Sequence, residues 1–164
     1  MHYIRLLFLT LALALGAGAT QAQETRVAFG NSKADTSAPV EVTADNLDVN
    51  QADGSAEFTG DVLVVQNEMR LTAARVFVVY DRDQSRIARL EATGDVVLVS
   101  GQDAAQADRA DYSIDAGTIV MTGNVLLSQG PSALSSEKMT IELGSGTARL
   151  TGRVKTILNQ NGSK

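Results

Sequence analysis

The 164-residue sequence predicts an all-β, single-domain protein built from four two-strand units. Three observations predict it. A Thr-Gly-(polar)-(aliphatic) stretch occurs four times, apolar residues alternate with polar ones across the copies, and turn glycines recur at a fixed offset inside them.

The repeated stretches are Phe58-Thr59-Gly60-Asp61-Val62, Ala92-Thr93-Gly94-Asp95-Val96, Met121-Thr122-Gly123-Asn124-Val125 and Leu150-Thr151-Gly152-Arg153-Val154. A second marker opens each unit: Thr43-Ala44-Asp45, Thr72-Ala73-Ala74, Gln106-Ala107-Asp108 and Ser135-Ser136-Glu137. Its offset to the Thr-Gly glycine is the same in units one, three and four (Ala44 to Gly60, Ala107 to Gly123, Ser136 to Gly152). Unit two, from Ala73 to Gly94, is longer. A third marker, Gly54, Gly117 and Gly146, precedes Gly60, Gly123 and Gly152 at one constant spacing. Unit two carries the polar run Asp81–Arg86 instead.

The elements follow in chain order. Residues 1–22 read as a secretory signal peptide. His2 and Arg5 form a short n-region, Leu6–Leu15 is the apolar run, and cleavage is expected near Ala22, with Ala19 a second option. That run is well short of the ~20 residues of a membrane span, so the other reading is a short uncleaved anchor. Residues 23–39 are polar and weakly patterned, expected as a flexible segment with one short strand around Arg26–Phe29. The repeat domain runs over 40–158, and 159–164 is a polar tail.

Within the repeats, even positions counted from each Thr-Gly glycine are apolar: Phe58, Val62 and Val64; Leu90, Ala92, Val96 and Leu98; Ile119, Met121, Val125 and Leu127; Leu150 and Val154. The opening segments add Leu47 and Val49, Val76 and Val78, Ala110 and Tyr112, and Met139 and Ile141 at matching offsets. A period of two means half-buried strands, with these residues on one inner face. Asp53-Gly54, Ala116-Gly117 and Ser145-Gly146 suit hairpin turns, so each unit reads as a strand, a turn and a longer strand. A glycine inside a strand run marks a bulge or sharp bend, which lets a long strand curve or cross between sheets. Gly101–Gln106 and Gln129–Ser132 read as loops. The units stack as a curved antiparallel sandwich or open roll; a β-helix with one coil per repeat is the alternative.

Composition narrows function. Loss of residues 1–22 removes Arg5 from the basic side chains and none of the 19 acidic ones, which leaves the mature chain more acidic than the full-length net charge of −5. Without a basic excess to neutralise phosphates, a nucleic-acid partner is not expected. Cysteine is absent and the only histidine lies in the leader, so a His-based triad, a thiolate nucleophile and the usual zinc site are excluded from the mature chain. Asp81 with Asp83, and Asp108 with Asp111 and Asp115, read as solvated turn and strand-face charges rather than acid–base pairs. Asp81 and Asp83 supply too few oxygens for calcium, which takes roughly 6–8. No enzyme activity, metal or cofactor is expected. The apolar face is by itself the core of an ordinary sandwich.

The four Thr-Gly-Asp/Asn-Val copies in register with Ala44-Asp45 and Ala107-Asp108, behind a signal peptide, resemble the OstA-like family over roughly Val40–Leu158. That resemblance implies a twisted open antiparallel β-jelly-roll that holds the acyl chains of lipopolysaccharide (lipid A) in an apolar groove. It assigns lipid binding to Leu47, Val49, Phe58, Val62, Val64, Val76, Val78, Ala92, Val96, Leu98, Tyr112, Ile119, Met121, Val125, Leu127, Met139 and Ile141. It implies a periplasmic location and head-to-tail stacking into a bridge from inner to outer membrane. The expected assembly edges are Val40 and Val42 at one end and Val154 and Thr156 at the other. Expected partners are lipopolysaccharide, other lipopolysaccharide transport proteins at both membranes, and further copies of the chain. The fourth copy departs from the pattern with Arg153 and Lys155, charges that suit an end strand. Arg26, Lys33, Arg70, Arg75, Arg82 and Arg86 are candidates for meeting lipid phosphates. Two other readings stand beside this one: an LptC-like, inner-membrane-anchored component of the same transport system, and a purely structural β-repeat protein.

Overall fold

Alternating sequence without a helical period satisfies its backbone N–H and C=O groups by pairing with neighbouring strands. The computed structural model, which describes residues 24–30, 35–81, 83 and 86–158, has this form. The strands are β1 (Thr25–Ala28), β2 (Glu41–Thr43), β3 (Asn46–Asn50), β4 (Ser55–Gln66), β5 (Met69–Tyr80), β6 (Ile87–Ser100), β7 (Asp103–Ser113), β8 (Thr118–Gln129), β9 (Ser132–Glu142), β10 (Thr147–Thr151) and β11 (Lys155–Leu158). They form one open antiparallel sheet in the order β1-β10-β9-β8-β7-β6-β5-β4-β2, with β3 also on β4 and β11 also on β9. The described residues contain no helix. The expected leader, 1–22, and tail, 159–164, lie outside them.

The Thr-Gly motif is where this sheet folds over on itself. Pairing shifts by one residue at the motif in every long strand pair, for example from Thr122↔Lys138 to Val125↔Ser136. Gly60, Gly94, Gly123 and Gly152 have φ of 80°, 82°, 79° and 79°, and the next residues, Asp61, Asp95, Asn124 and Arg153, have φ of 43°, 49°, 49° and 43°. Two successive left-handed residues make a bulge that turns the strand, which explains glycine followed by Asp or Asn. The unit-opening marker sits directly against the bulge. The Asp45 N–H donates to the Gly60 carbonyl at 3.0 Å, and a Cβ on Gly60 would come within 2.5 Å of Asp45 Oδ2.

The bends divide the sheet into two half-sheets. Half-sheet I holds β2, the later half of β4, the start of β5, the corresponding parts of β6 to β9, and β11. Half-sheet II holds β3, the complementary halves of the long strands, β10 and, outside β10, β1. Their inner faces share one hydrophobic core, from Val62, Leu71 and Leu98 on one side to Val78, Ile119 and Ile141 on the other.

Three sequence expectations change. The opening strands of units two to four are long, because β5, β7 and β9 begin before the marker rather than after it. The expected loops at Gly101–Gln106 and Gln129–Ser132 shrink to the hairpin turns 101–102 and 130–131. Small residues such as Ala105, fully buried in β7, fit the pleat without an obvious apolar signature. Lastly, within the segment expected to be flexible, 23–39, described residues at both ends are tied down, while 23 and 31–34 lie outside the described residues. The short strand expected around Arg26–Phe29 is β1, which pairs with β10, and Phe29 is buried in the core. Beyond it, the Gly30 N–H donates to Asp103 Oδ2 at 2.8 Å, and Gln66 Nε2 donates to the Thr36 and Ala38 carbonyls at 3.2 and 2.9 Å.

Candidate functional site: an apolar trough and its two ends

The inner side chains form rows that run across the whole sheet. In half-sheet II one row is Leu47, Phe58, Val76, Ala92, Ala110, Met121, Met139 and Leu150, and a second is Val49, Ala56, Val78, Leu90, Tyr112, Ile119, Ile141 and Ala148. In half-sheet I a row runs through Val42, Val64, Leu71, Leu98, Ala105, Leu127, Leu134 and Thr156. Val62, Val96 and Val125 add a further inward position just after each bulge. All the groove residues assigned by resemblance therefore share one surface.

Burial differs along that surface. Leu98, Ile119, Met121, Leu127, Met139 and Ile141 are fully buried, so the middle of the trough is packed side chain against side chain. Phe58 is half-buried, while Leu47 and Val49 are 53% and 62% exposed. These end residues, with Ala56 and Tyr80, line a cavity of about 230 Å³ at the unit-one end. The apolar lining thus reaches solvent there. At the other end the half-sheet I row finishes on exposed Thr156 of β11. Val40 and Val42 are half-buried against the core at the unit-one edge. Val154 lies in the bend between β10 and β11, outside both strands, and also packs on the core.

Polar links join the half-sheets: at the turn side Gln129 Nε2 of half-sheet I donates to the Ala28 carbonyl of half-sheet II at 2.7 Å. The Tyr112 hydroxyl on half-sheet II donates to Gln66 Oε1 on half-sheet I at 2.7 Å. Burial pushes the Tyr112 phenol up to about 12, against the opposing effect of that hydrogen bond. Gln66, which ends β4, thereby joins both half-sheets and the segment around Thr36–Ala38. Sequence reading missed Gln66 and Phe29: a lone Gln closing a strand and a lone Phe in a polar segment carry no periodic signal.

The candidate phosphate partners do not converge. Arg75 pairs with Glu57 at 2.6 Å, and Arg86 pairs with Asp81 at 3.1 Å and Asp115 at 3.0 Å. The Arg75 hydrogen bond holds the Glu57 carboxyl below the usual range, and Glu57 raises Arg75 in turn. Arg26 lies 3.9 Å from Glu24, Arg70 is exposed, and Lys33 and Arg82 fall outside the described residues. Of the second carboxylate set, Asp108 accepts from Asn124, Asp111 pairs with Arg109 and Asp115 with Arg86. Among the described residues no group of three or more His, Cys, Asp or Glu could hold a metal ion.

No curated protein matches the chain. Among solved structures it is similar to LptH of Pseudomonas aeruginosa, described as the LptA-homologous periplasmic component of the lipopolysaccharide transport device. The two share 17% identity with a TM-score of 0.69, covering 77% of this chain and 99% of that one. At that identity the likeness bears on the fold, which is the open antiparallel β-roll read from the repeats. Residues 41–147 match the family model for the LptA/(LptD N-terminal domain) LPS transport protein. The chain, from its first repeat strand to its last long hairpin, belongs to the LptA/LptD N-terminal-domain family of lipopolysaccharide transport proteins.

Proposed function

We propose that this protein is a periplasmic lipopolysaccharide carrier that shelters lipid A acyl chains along its apolar trough and stacks head to tail between the membranes. The observation that carries this reading is the pair of inner rows that run unbroken through all four units and emerge exposed at Leu47 and Val49. An ordinary sandwich core ends under a cap, whereas this one ends at an open sheet edge. Acyl chains need burial rather than directed hydrogen bonds, which suits an aliphatic lining. Because the middle of the trough is packed, chains enter by replacing contacts between the half-sheets.

Photocrosslinking in cells tests the reading. A crosslinker at Val96 or Met121, both inner and buried, is expected to capture lipopolysaccharide. One at Asp95 or Asn124, both exposed on the outer bend, is not. Equal capture from both sets would return the chain to a structural β-repeat protein. The mass of the mature N-terminus separates a free carrier from an inner-membrane-anchored component.

A further inference from the structure

We propose that β1 is an internal stand-in for the β3 strand of a second copy, and that end-to-end assembly proceeds by β3 displacing β1 from the β10 edge. The inference rests on the head-to-tail reading above and specifies its junction.

The first support is strand parity. Half-sheet I ends on β11, but half-sheet II ends on β1, one strand further out than β10. If a second copy continues both half-sheets, its β2 meets β11 antiparallel. With β1 in place, its β3 would meet β1 parallel, against the alternation of every other pair. With β1 displaced, β3 meets β10 antiparallel.

The second support is register. Continuing the inner rows across the junction sets Leu150 opposite Leu47 and Ala148 opposite Val49 of the next copy. All five residues of β10, Thr147–Thr151, then find partners in the five of β3, Asn46–Asn50. Continuing the half-sheet I row sets Thr156 opposite Val42. The two registers differ by one residue, the same shift found at each internal bend, as between Thr122↔Lys138 and Val125↔Ser136.

The third support is charge. Arg26 stands directly opposite Arg149 on the outer face of the β1–β10 pair, with Glu24 3.9 and 3.8 Å from the two. At the other end Asp48 stands opposite Glu57. Like charges directly opposed destabilise a strand pair. Exchange puts Asp48 opposite Arg149, and it replaces Thr25 by Leu47 against Leu150, covering the exposed Leu47 and Val49. In its strand pairing the internal strand is thus the poorer ligand of its own edge, and what holds it there lies beyond the pairing, in Phe29 on the core and the Gln129 Nε2 bond to the Ala28 carbonyl.

Directly opposed strand residues have Cα atoms about 4.5–5.5 Å apart, within disulfide range, and the chain has no cysteine to interfere. In full-length mature protein, Arg26→Cys with Arg149→Cys locks β1 on β10 when oxidised. Sedimentation velocity over a concentration series should show the oxidised form monomeric and the reduced form assembling. Asp48→Cys with Arg149→Cys should give a ladder of covalent multimers on a non-reducing gel. The point variant Arg26→Asp, which gives Arg149 an internal partner, should raise the concentration for half-assembly roughly two- to fivefold. An oxidised lock that assembles as well as its reduced form, with far-ultraviolet dichroism unchanged, overturns strand exchange while leaving head-to-tail stacking in place. Wild-type and reduced proteins that stay monomeric at every concentration overturn the stacking reading itself, and the exchange with it.

Discussion

At the residue scale, the most consequential positions are the bulge glycines. Their role is legible in the sequence, because glycine followed by Asp or Asn inside a strand run pairs the residue types that best accept left-handed backbone. Gly123 shows the constraint: φ is 79°, and an added Cβ would collide with the Asp108 carboxylate. Gly123→Ala is expected to destabilise the protein by about 1–3 kcal/mol from backbone strain alone, with the Asp108 clash added. Gly130, also at positive φ but with open space around its Cβ position, is the control and should cost less. Denaturant midpoints of the two variants check this; equal losses would mean that the bend does not depend on close approach to the unit-opening marker. Arg153 occupies the same left-handed position as Asn124 without an Asp or Asn side chain to ease it, and pairs with Glu137 at 2.8 Å.

At the scale of elements, the four units and the short strand around Arg26–Phe29 were legible, but not that this strand pairs with β10 and sets Phe29 in the core. Alternation finds a strand when each side chain faces either core or water over a long run, as in β4 to β9. β1 is short, and its inward positions are Thr25 and Val27, too little pattern to fix its partner strand or its place against the core. The same blindness covers Gln66, whose importance comes from residues distant in sequence that meet it. Its bond with Tyr112 makes a prediction about pH. Burial holds the Tyr112 phenol neutral up to about 12 in the folded chain, against about 10 when unfolded. The sign is fixed by that order: the contribution is complete below about pH 10 and is lost as pH rises toward 12, amounting to roughly 2–3 kcal/mol. Tyr112→Phe should lower stability at neutral pH by about 1–3 kcal/mol, since Gln66 Oε1 loses its partner. The difference between wild type and variant should then narrow across that alkaline window. Urea unfolding at pH 8, 10 and 11 measures it, and a gap that stays constant would place the alkaline titration elsewhere.

At the scale of the whole molecule, a packed trough is reconciled with the proposed lipid-carrying role if the half-sheets part. The bends hold one long side of the trough closed through the continuous backbone of β4 to β9, so parting occurs on the side of the hairpin turns. Gln66 is one tie on that side, bonded to Tyr112 and to the Thr36 and Ala38 carbonyls; another is at the far end, where Gln129 Nε2 donates to the Ala28 carbonyl and the Gly30 N–H to Asp103. Opening must break these bonds while the rows of Val, Leu, Ile and Met exchange their mutual contacts for those of an acyl chain, at little net change in apolar burial. The hydrogen bonds therefore weigh on the rate more than the apolar contacts do. Gln66→Ala removes its own three bonds at once and leaves those of Gln129 and Gly30; at about 0.5–1.5 kcal/mol each, uptake of a fluorescent acyl probe at the Gln66 end should speed up by roughly tenfold or more. Thermal stability should fall in the same variant. Leu47→Gln, at the open end, should leave the rate of parting unchanged while weakening probe retention there. Stopped-flow uptake separates the two routes. If Gln66→Ala is destabilised but takes up probe at the wild-type rate, while Leu47→Gln slows it, acyl chains enter along the trough from the unit-one end rather than between the parted half-sheets.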